Sequence, residues 1–372
     1  MRHIEQPKIT DELKTVIDPK NIAGSEPFKV KTFRELVENV AKLSYLNKDY
    51  LLFFRGQGND YKNRAGNSTF YPSIYRGDYL TQTELNHKFE RLNILSKNLS
   101  RIFEEEKIEG YKELKRKRLI QWSILQHYEV CDTPLLDFTQ SLRVACSFAH
   151  MDNENGSAYI FVFGLPYLTN RISNNSEQDL VNIRLLSISP PEALRPYFQE
   201  GYLTATEDIT NEYESKSELD FKNRLIAKFE IPNDKSFWGR NFKIIPKNAL
   251  YPQKDKVLEL CNRIKDISEK ELSPGQVGEF LTIWTELEEF ILNEVRRKNN
   301  RVYNMREAIT QLYKMQFLNQ DEYYQIDRLR KIRNEIVHKP KKISSPEILD
   351  YTETLKRTKE EIITRYNNVY KK

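Results

Sequence analysis

Arg55 sits in an FFRGQG run (53–58), directly after the apolar stretch YLLFF (50–54). Its guanidinium offers a planar fork of five donors, which suits a phosphate or a carboxylate. Gly56 and Gly58 follow in a chain with only 12 glycines among 372 residues, and glycine lets a backbone approach a ligand closely. The cluster Arg55, Gly56, Gln57 therefore reads as an anion-binding strand end. The structural alternative is Arg55 paired with a buried carboxylate such as Asp137. A second cluster lies in LQHYEVCDTPLLDFTQSLRVACSFA (125–149). His127 ends a long helix, Asp137 sits in a short LLDF strand, and Thr139 and Ser141 stand where strand gives way to helix. Packing or capping is the plain reading of His127, and N-capping that of Thr139 and Ser141. A third constellation is Arg333-Asn334-x3-His338. Ile326, Leu329, Ile332, Ile336 and Val337 form a helical apolar stripe. Arg333 falls at its edge, an unusual place for a charge. Asn334 and His338 are four apart and stack on the adjoining face. The structural alternatives are a salt bridge from Arg333 to Glu286 or Glu289, and a charged His338 at a helix C-terminus, worth up to about 2 kcal/mol.

The elements that must position these residues divide the chain. Residues 1–27 read as a polar, loosely ordered arm. A capping box at Thr32–Glu35 opens a helix to about residue 46. After the Arg55 strand, helices are expected over about 82–107 and 111–129, then the LLDF strand and a helix from 141 to 150. Its small apolar face (Val144, Ala145, Phe148, Ala149) suits tight packing on a sheet. SAYIFVFGL (157–165) is the strongest strand signal; residues 169–182 read as a polar loop, and IRLLSIS, YLTAT and RLIAKFEI as three more strands. Connections are uneven rather than regular βαβ units. Beyond a linker at 263–276 strand signals vanish, and helices are expected over about 277–298, 303–315, 319–338 and 345–370. Ser345-Pro346-Glu347 gives the last a cap, an N1 proline and an acidic first turn. The fold class is an α+β domain with a mixed sheet and helices over 28–262, followed by an all-α four-helix bundle over 277–372.

Composition excludes several classes. Aromatic residues at 12% are too many for a disordered chain. No apolar run reaches 18 residues, so no membrane-spanning helix is expected. The N-terminus lacks the apolar core of a secretory signal. Cys131, Cys146 and Cys261 cannot build a disulfide framework and no CxxC occurs, which points to a reducing, cytoplasmic setting. Five histidines without paired His/Cys spacing predict no structural metal site. No GxSxG elbow, GxGxxG or Walker loop is present. The net charge is +5; residues 263–372 carry 22 Lys and Arg against 18 Asp and Glu. Lys339, Lys341 and Lys342 follow His338 directly, as a phosphate contact or as a solvated loop.

FFRGQ (53–57), QHYEVCDTPLLDFTQSLRVACSFA, YFQEGYL (197–203) and ALYP (249–252) together resemble the FRG domain, over roughly residues 30–260. Pro134 stands where many members carry arginine after the threonine, so no role for that arginine carries over. The layout is similar to ADP-ribosyltransferase folds of the Arg–Ser–Glu type. That likeness implies NAD contacts from Arg55, a Thr139-Gln140-Ser141 strand end, and Gln199 and Glu200 opening a later strand beside the nicotinamide ribose. A carboxylate there would stabilise an oxocarbenium-like transition state. Glu200 as a solvated strand-end acid is the alternative. So is an FRG domain that recognises NAD, another nucleotide or a phage component without catalysis.

Arg333-Asn334-x3-His338, with WTELEEFI (284–291) as an early helix, resembles the R-x4-H motif of HEPN domains. That family implies metal-independent RNA cleavage, with no cofactor, at a site formed where two protomers meet. His338 would move the 2′-OH or leaving-group proton. Arg333 would stabilise phosphate charge, and Asn334 would orient His338. The implied protein is a bacterial toxin or anti-phage defence effector: a homodimeric ribonuclease with the FRG domain as sensor or NAD-binding regulator, set off by a phage or partner-protein trigger. The alternatives are an NAD-consuming ADP-ribosyltransferase that uses the helices as a dimerisation scaffold, and a non-catalytic recognition protein.

Overall fold

The computed structural model describes residues 1–77, 80–213, 215–269, 273–298, 302, 304–338 and 345–370. The basic run Lys339, Lys341 and Lys342 lies outside them. The chain forms two compact units, Met1–Asn262 and Arg263–Lys372.

The first unit is built on a mixed eight-stranded sheet. Its strands are β1 (Phe28–Lys29), β2 (Leu51–Gln57), β3 (Leu136–Thr139), β4 (Ser157–Leu165), β5 (Ile172–Asn175), β6 (Leu180–Arg184), β7 (Gly201–Thr206) and β8 (Leu225–Pro232). They run in the order β1-β8-β4-β2-β3-β7-β6-β5. Only the β1–β8 pair is parallel. Arg55 lies in central β2 and pairs with Phe161 of β4. On its other side β2 meets β3 through the single register pair Phe54↔Thr139. β4 and β8 are near-continuous apolar runs, and both are buried along most of their length, as strands covered on two faces must be.

Among the described residues the first unit also holds the α-helices α1 (Asp11–Lys14), α2 (Phe33–Leu46), α3 (Gln82–Glu105), α4 (Tyr111–Arg116), α5 (Arg118–His127), α6 (Leu142–His150), α7 (Leu185–Ile188), α8 (Arg195–Gln199) and α9 (Lys247–Leu250), and the start of α10 (Lys256–Glu269). Thr32 and Thr81 cap α2 and α3 through their side chains, and Thr81 with Glu84 completes a capping box. The helix expected over 111–129 is two, broken at Lys117, whose backbone is extended. The expected strand IRLLSIS is divided between β6 and α7. The polar loop expected over 169–182 contains β5 and the start of β6; β5 is the edge strand, with one buried residue in four and little apolar signal.

Residues 1–27 are not a loose arm. Ile4, Ile9, Leu13, Ile17 and Ile22 are buried in the same apolar core as the sheet. The Ile4 N–H donates to the Asn223 carbonyl at 2.9 Å. The buried Lys228 ammonium donates to the Ala23 carbonyl at 3.1 Å and the Ser68 hydroxyl at 2.9 Å, and faces Asp60 at 3.3 Å. A buried cation needs such partners, and one of them is supplied by this segment.

The linker expected at 263–276 is also largely helical. α10 runs through the unit boundary to Glu269, and α11 (Pro274–Lys298) already starts at Pro274. With α12 (Met305–Lys314), α13 (Gln320–His338) and α14 (Ser345–Tyr370) it makes a wholly helical C-terminal region. These helices share one apolar core that includes Trp284, Leu287, Ile309, Ile326, Ile332 and Leu355. Asn319 and Glu322 cap α13 reciprocally, each side chain accepting from the other's N–H at 2.9 Å.

The burial of Leu13 gives a direct test. We expect Leu13→Ala to destabilise the N-terminal unit by about 2–5 kcal/mol, as for buried leucines generally, measured by urea unfolding. A cost near zero would show that the segment does not belong to the core.

Candidate functional site

Strands β2, β3 and β7 and helices α5 and α6 enclose a cleft of about 250 Å³. Arg55, Gly56, His127, Asp137, Thr139 and Gln199 line it, together with Gln126, Glu129, Phe148 and Tyr251. Six of the nine residues singled out from the sequence in this unit therefore meet in one place, although they come from segments up to about 145 residues apart.

Asp137 organises the floor. Its backbone carbonyl accepts from Arg55 Nη1 at 2.7 Å. Its Oδ2 accepts from Gln126 Nε2 at 2.6 Å, and its Oδ1 faces His127 Nδ1 at 3.6 Å. The Thr133 hydroxyl donates to Gln126 Oε1 and fixes that amide. One edge of the carboxylate remains open to the cleft, since the side chain is 38% exposed. Burial pushes this carboxyl up, but His127, Arg55 and Gln126 outweigh it and hold it below the usual carboxylate range. Burial pulls the Arg55 guanidinium below its ordinary value, partly countered by Asp137. Arg55 Nε and His127 Nε2 are buried and have no hydrogen-bond partner. His127 is itself almost fully enclosed.

Two glycines make this packing feasible. A β-carbon on Gly56 would overlap the Ala145 carbonyl of α6. One on Gly201 would lie 2.7 Å from Leu185 Cδ1 and 3.2 Å from His127 Cε1. The small-residue face of α6 can therefore press directly onto β2.

The wall is built by hydrogen bonds between loops. The Thr139 hydroxyl donates to the Gln199 and Glu200 carbonyls at 3.1 and 3.2 Å and accepts from the Ser141 N–H at 3.1 Å. Gln199 Nε2 donates to the Leu250 carbonyl at 2.8 Å, which anchors the segment carrying Tyr251. Tyr251 packs edge-on to Phe148, with ring centres 6.0 Å apart.

Three expected residues stand elsewhere. Ser141 caps α6 by accepting from the Val144 N–H and does not line the cleft. Gln57 ends β2 beyond it, its Oε1 buried without a partner. Glu200 does not open β7; it ends α8 in a left-handed conformation (φ 45°), with its side chain exposed and outside the cleft. Sequence reasoning missed Gln126, Glu129, Phe148 and Tyr251. Gln126 and Glu129 flank the His127-Tyr128 pair and could have been found from that adjacency.

In the helical unit, α13 buries Ile326, Leu329, Ile332 and Ile336. Val337, placed with them from the sequence, is instead 47% exposed, because it falls past the edge of the stripe. Arg333 and Asn334 are half-buried and His338 is exposed. Arg333 Nη1 donates to Asn334 Oδ1 at 3.2 Å. No described carboxylate pairs with Arg333. Its neighbours differ: Arg330 and Lys331 both pair with Asp327. Glu286 is bonded to Lys359 rather than to Arg333. No group of three potential metal ligands occurs among the described residues, and no described helix is long and apolar enough to cross a membrane.

The lowered Asp137 carboxyl gives a pH prediction. Such a group contributes stability that is present above the unfolded value, near 3.9, and is lost as pH falls through the folded value. We expect Asp137→Asn to be less stable at neutral pH and to lose less on acidification below about pH 4. Thermal unfolding at a series of pH values measures this, and an unchanged acid limb in the variant would rule the carboxylate out as its source.

No curated protein and no solved structure matches the chain. The family comparison gives a positive result over α3 to α6 and the start of β4, the stretch that supplies Gln126, His127, Asp137 and Thr139 to the cleft. Residues 71–157 match the FRG domain.

Proposed function

We propose that this chain is a bacterial toxin or anti-phage defence effector that cleaves RNA with Arg333, Asn334 and His338, and that its FRG cleft is the sensor or regulator. The observation that carries the reading is the state of Arg333. A guanidinium with no described carboxylate partner, bonded to Asn334 one helical turn from an exposed imidazole, is arranged for an anion from outside. A phosphodiester supplies that anion. Arg333 would then stabilise charge on the phosphorus oxygens. His338, exposed at the helix end, would take the 2′-OH proton and return one to the leaving 5′ oxygen. The product is a 2′,3′-cyclic phosphate, and no step calls for a metal ion. A homodimer would pair two such faces, and a phage component or partner protein would serve as trigger.

A second reading concerns the cleft alone. Arg55, Asp137 and Thr139 converge there, which supports binding of NAD or another nucleotide. At about 250 Å³ the cleft is smaller than the roughly 300–1,000 Å³ of sites that enclose a drug-sized ligand, so it would take one end of a dinucleotide. The exposed position of Glu200, outside the cleft, lends no support to its carboxylate stabilising an oxocarbenium-like transition state in ADP-ribosyl transfer.

End-labelled RNA incubated with the purified chain in EDTA tests the first reading. We expect cleavage with cyclic phosphate ends, reduced at least about 100-fold in His338→Ala, the usual loss on removing a general acid–base group. Equal cleavage by both proteins would end the assignment of His338.

A further inference from the structure

We propose that the rim of the FRG cleft, formed by Glu129, Phe148 and Tyr251, is a binding subsite for a planar organic cation. Glu129 occupies a backbone position that favours glycine. Its φ is +55°. Its N–H donates to the Gln126 carbonyl at 2.9 Å, and the Val130 N–H reaches the Leu125 carbonyl at 2.8 Å. This is the Schellman ending of α5, with Glu129 at the left-handed position. A residue with a β-carbon is disfavoured there, so the carboxylate is held at some conformational cost and nothing in the fold uses it. No described residue partners it.

The charges around it favour a cation. Arg55 and Asp137 offset each other at the floor. Glu129 is the remaining charged group of the lining. Beside it, Tyr251 and Phe148 meet at 87° and form an aromatic corner. A flat cation in that corner gains the face of one ring and stays near the carboxylate. Tyr251 already carries such a contact, since the Arg195 guanidinium, which is outside the lining, lies 4.9 Å from its ring centre. Burial, with the charge of Glu129, pushes the Tyr251 phenol up to about 12, so the ring stays neutral near pH 7. Two ligand types carry a planar cation of this size: the pyridinium of oxidised NAD and a guanidinium. The first rests on the nucleotide reading of the cleft; the subsite itself does not.

Calorimetric titration of the full chain with NAD⁺, NADH, 1-methylnicotinamide and agmatine tests it. NAD⁺ and NADH differ in the charge of the ring that would enter the corner. We expect NAD⁺ to bind about tenfold more tightly than NADH, the size of one cation–π contact with a nearby carboxylate. Glu129→Gln should bring the two affinities together while leaving that for NADH unchanged. Glu129→Gly should do the same and raise the melting temperature, which separates loss of the subsite from loss of the fold. Equal binding of NAD⁺ and NADH by the wild type, or a preference that survives Glu129→Gln, would overturn the subsite and leave the nucleotide reading standing. Binding of 1-methylnicotinamide or agmatine that depends on Glu129, with neither dinucleotide bound, would support the subsite and remove the nucleotide reading. Which of the two small cations binds assigns the ligand as pyridinium or guanidinium.

Discussion

The joint between β2 and β3 rests on one residue, Asp137, while on its other side β3 pairs along its whole length with β7. β3 has four residues and shares a single register pair with β2. A ladder that short leaves backbone groups to be satisfied by other means. Arg55 does so by donating to the Asp137 carbonyl, while the Asp137 carboxylate holds Gln126 and faces His127 at the end of α5. Two central strands and one helix are thus joined through a single side chain and its own peptide. The residues that could bind a ligand are the same ones that close the sheet. The ion pair offered by the sequence takes another form: Arg55 donates to the Asp137 backbone carbonyl rather than to its carboxylate, and both residues open onto the cleft.

Around this centre the tight fit is set by what is missing. Gly56 and Gly201 lack the β-carbons that would strike α6, Leu185 and His127. On the far wall, Arg195 lies between the rings of Tyr128 and Tyr251, 5.1 and 4.9 Å from their centres. Asp255 accepts from the Tyr128 hydroxyl at 2.8 Å and from the Leu194 and Arg195 N–H groups, and it also accepts from the Leu258 N–H at the start of α10. The wall carrying Tyr251 and the first turn of α10 therefore share one carboxylate.

What the sequence made legible follows from the range of each interaction. Arg55, Gly56, Asp137 and Thr139 could be read because strand ends and strand-to-helix turns are local patterns. α13 and α14 could be read because their apolar periodicity is local too. Tyr251 and Phe148 could not, since an aromatic residue signals core long before it signals a cleft wall. Glu200 was misplaced because a left-handed residue at a helix end looks, in sequence, like the first residue of the next strand. Residues 1–27 misled for a similar reason. Their buried isoleucines and leucine are spread singly among charged residues, so no period appears, and the partners that order them, Lys228 and Asn223, lie some two hundred residues away.

The two units present arginine in opposite conditions, and the contrast bears on what each can do. Arg55 is enclosed, and Asp137 repays part of its desolvation. An incoming anion there meets the nearby charge of the Asp137 carboxylate, which favours a ligand that uses the whole cleft rather than a bare phosphate. Arg333 is half-buried and, among the described residues, bonded to a neutral amide and to no carboxylate. Its charge is unspent, at the cost of leaving Nε buried without a partner. This helix surface pairs Arg330 and Lys331 with Asp327 yet gives Arg333 no carboxylate among the described residues, which would leave its local field available to an incoming charge. On the proposed reading, the cleft would serve selective recognition and the helix charge stabilisation during RNA cleavage.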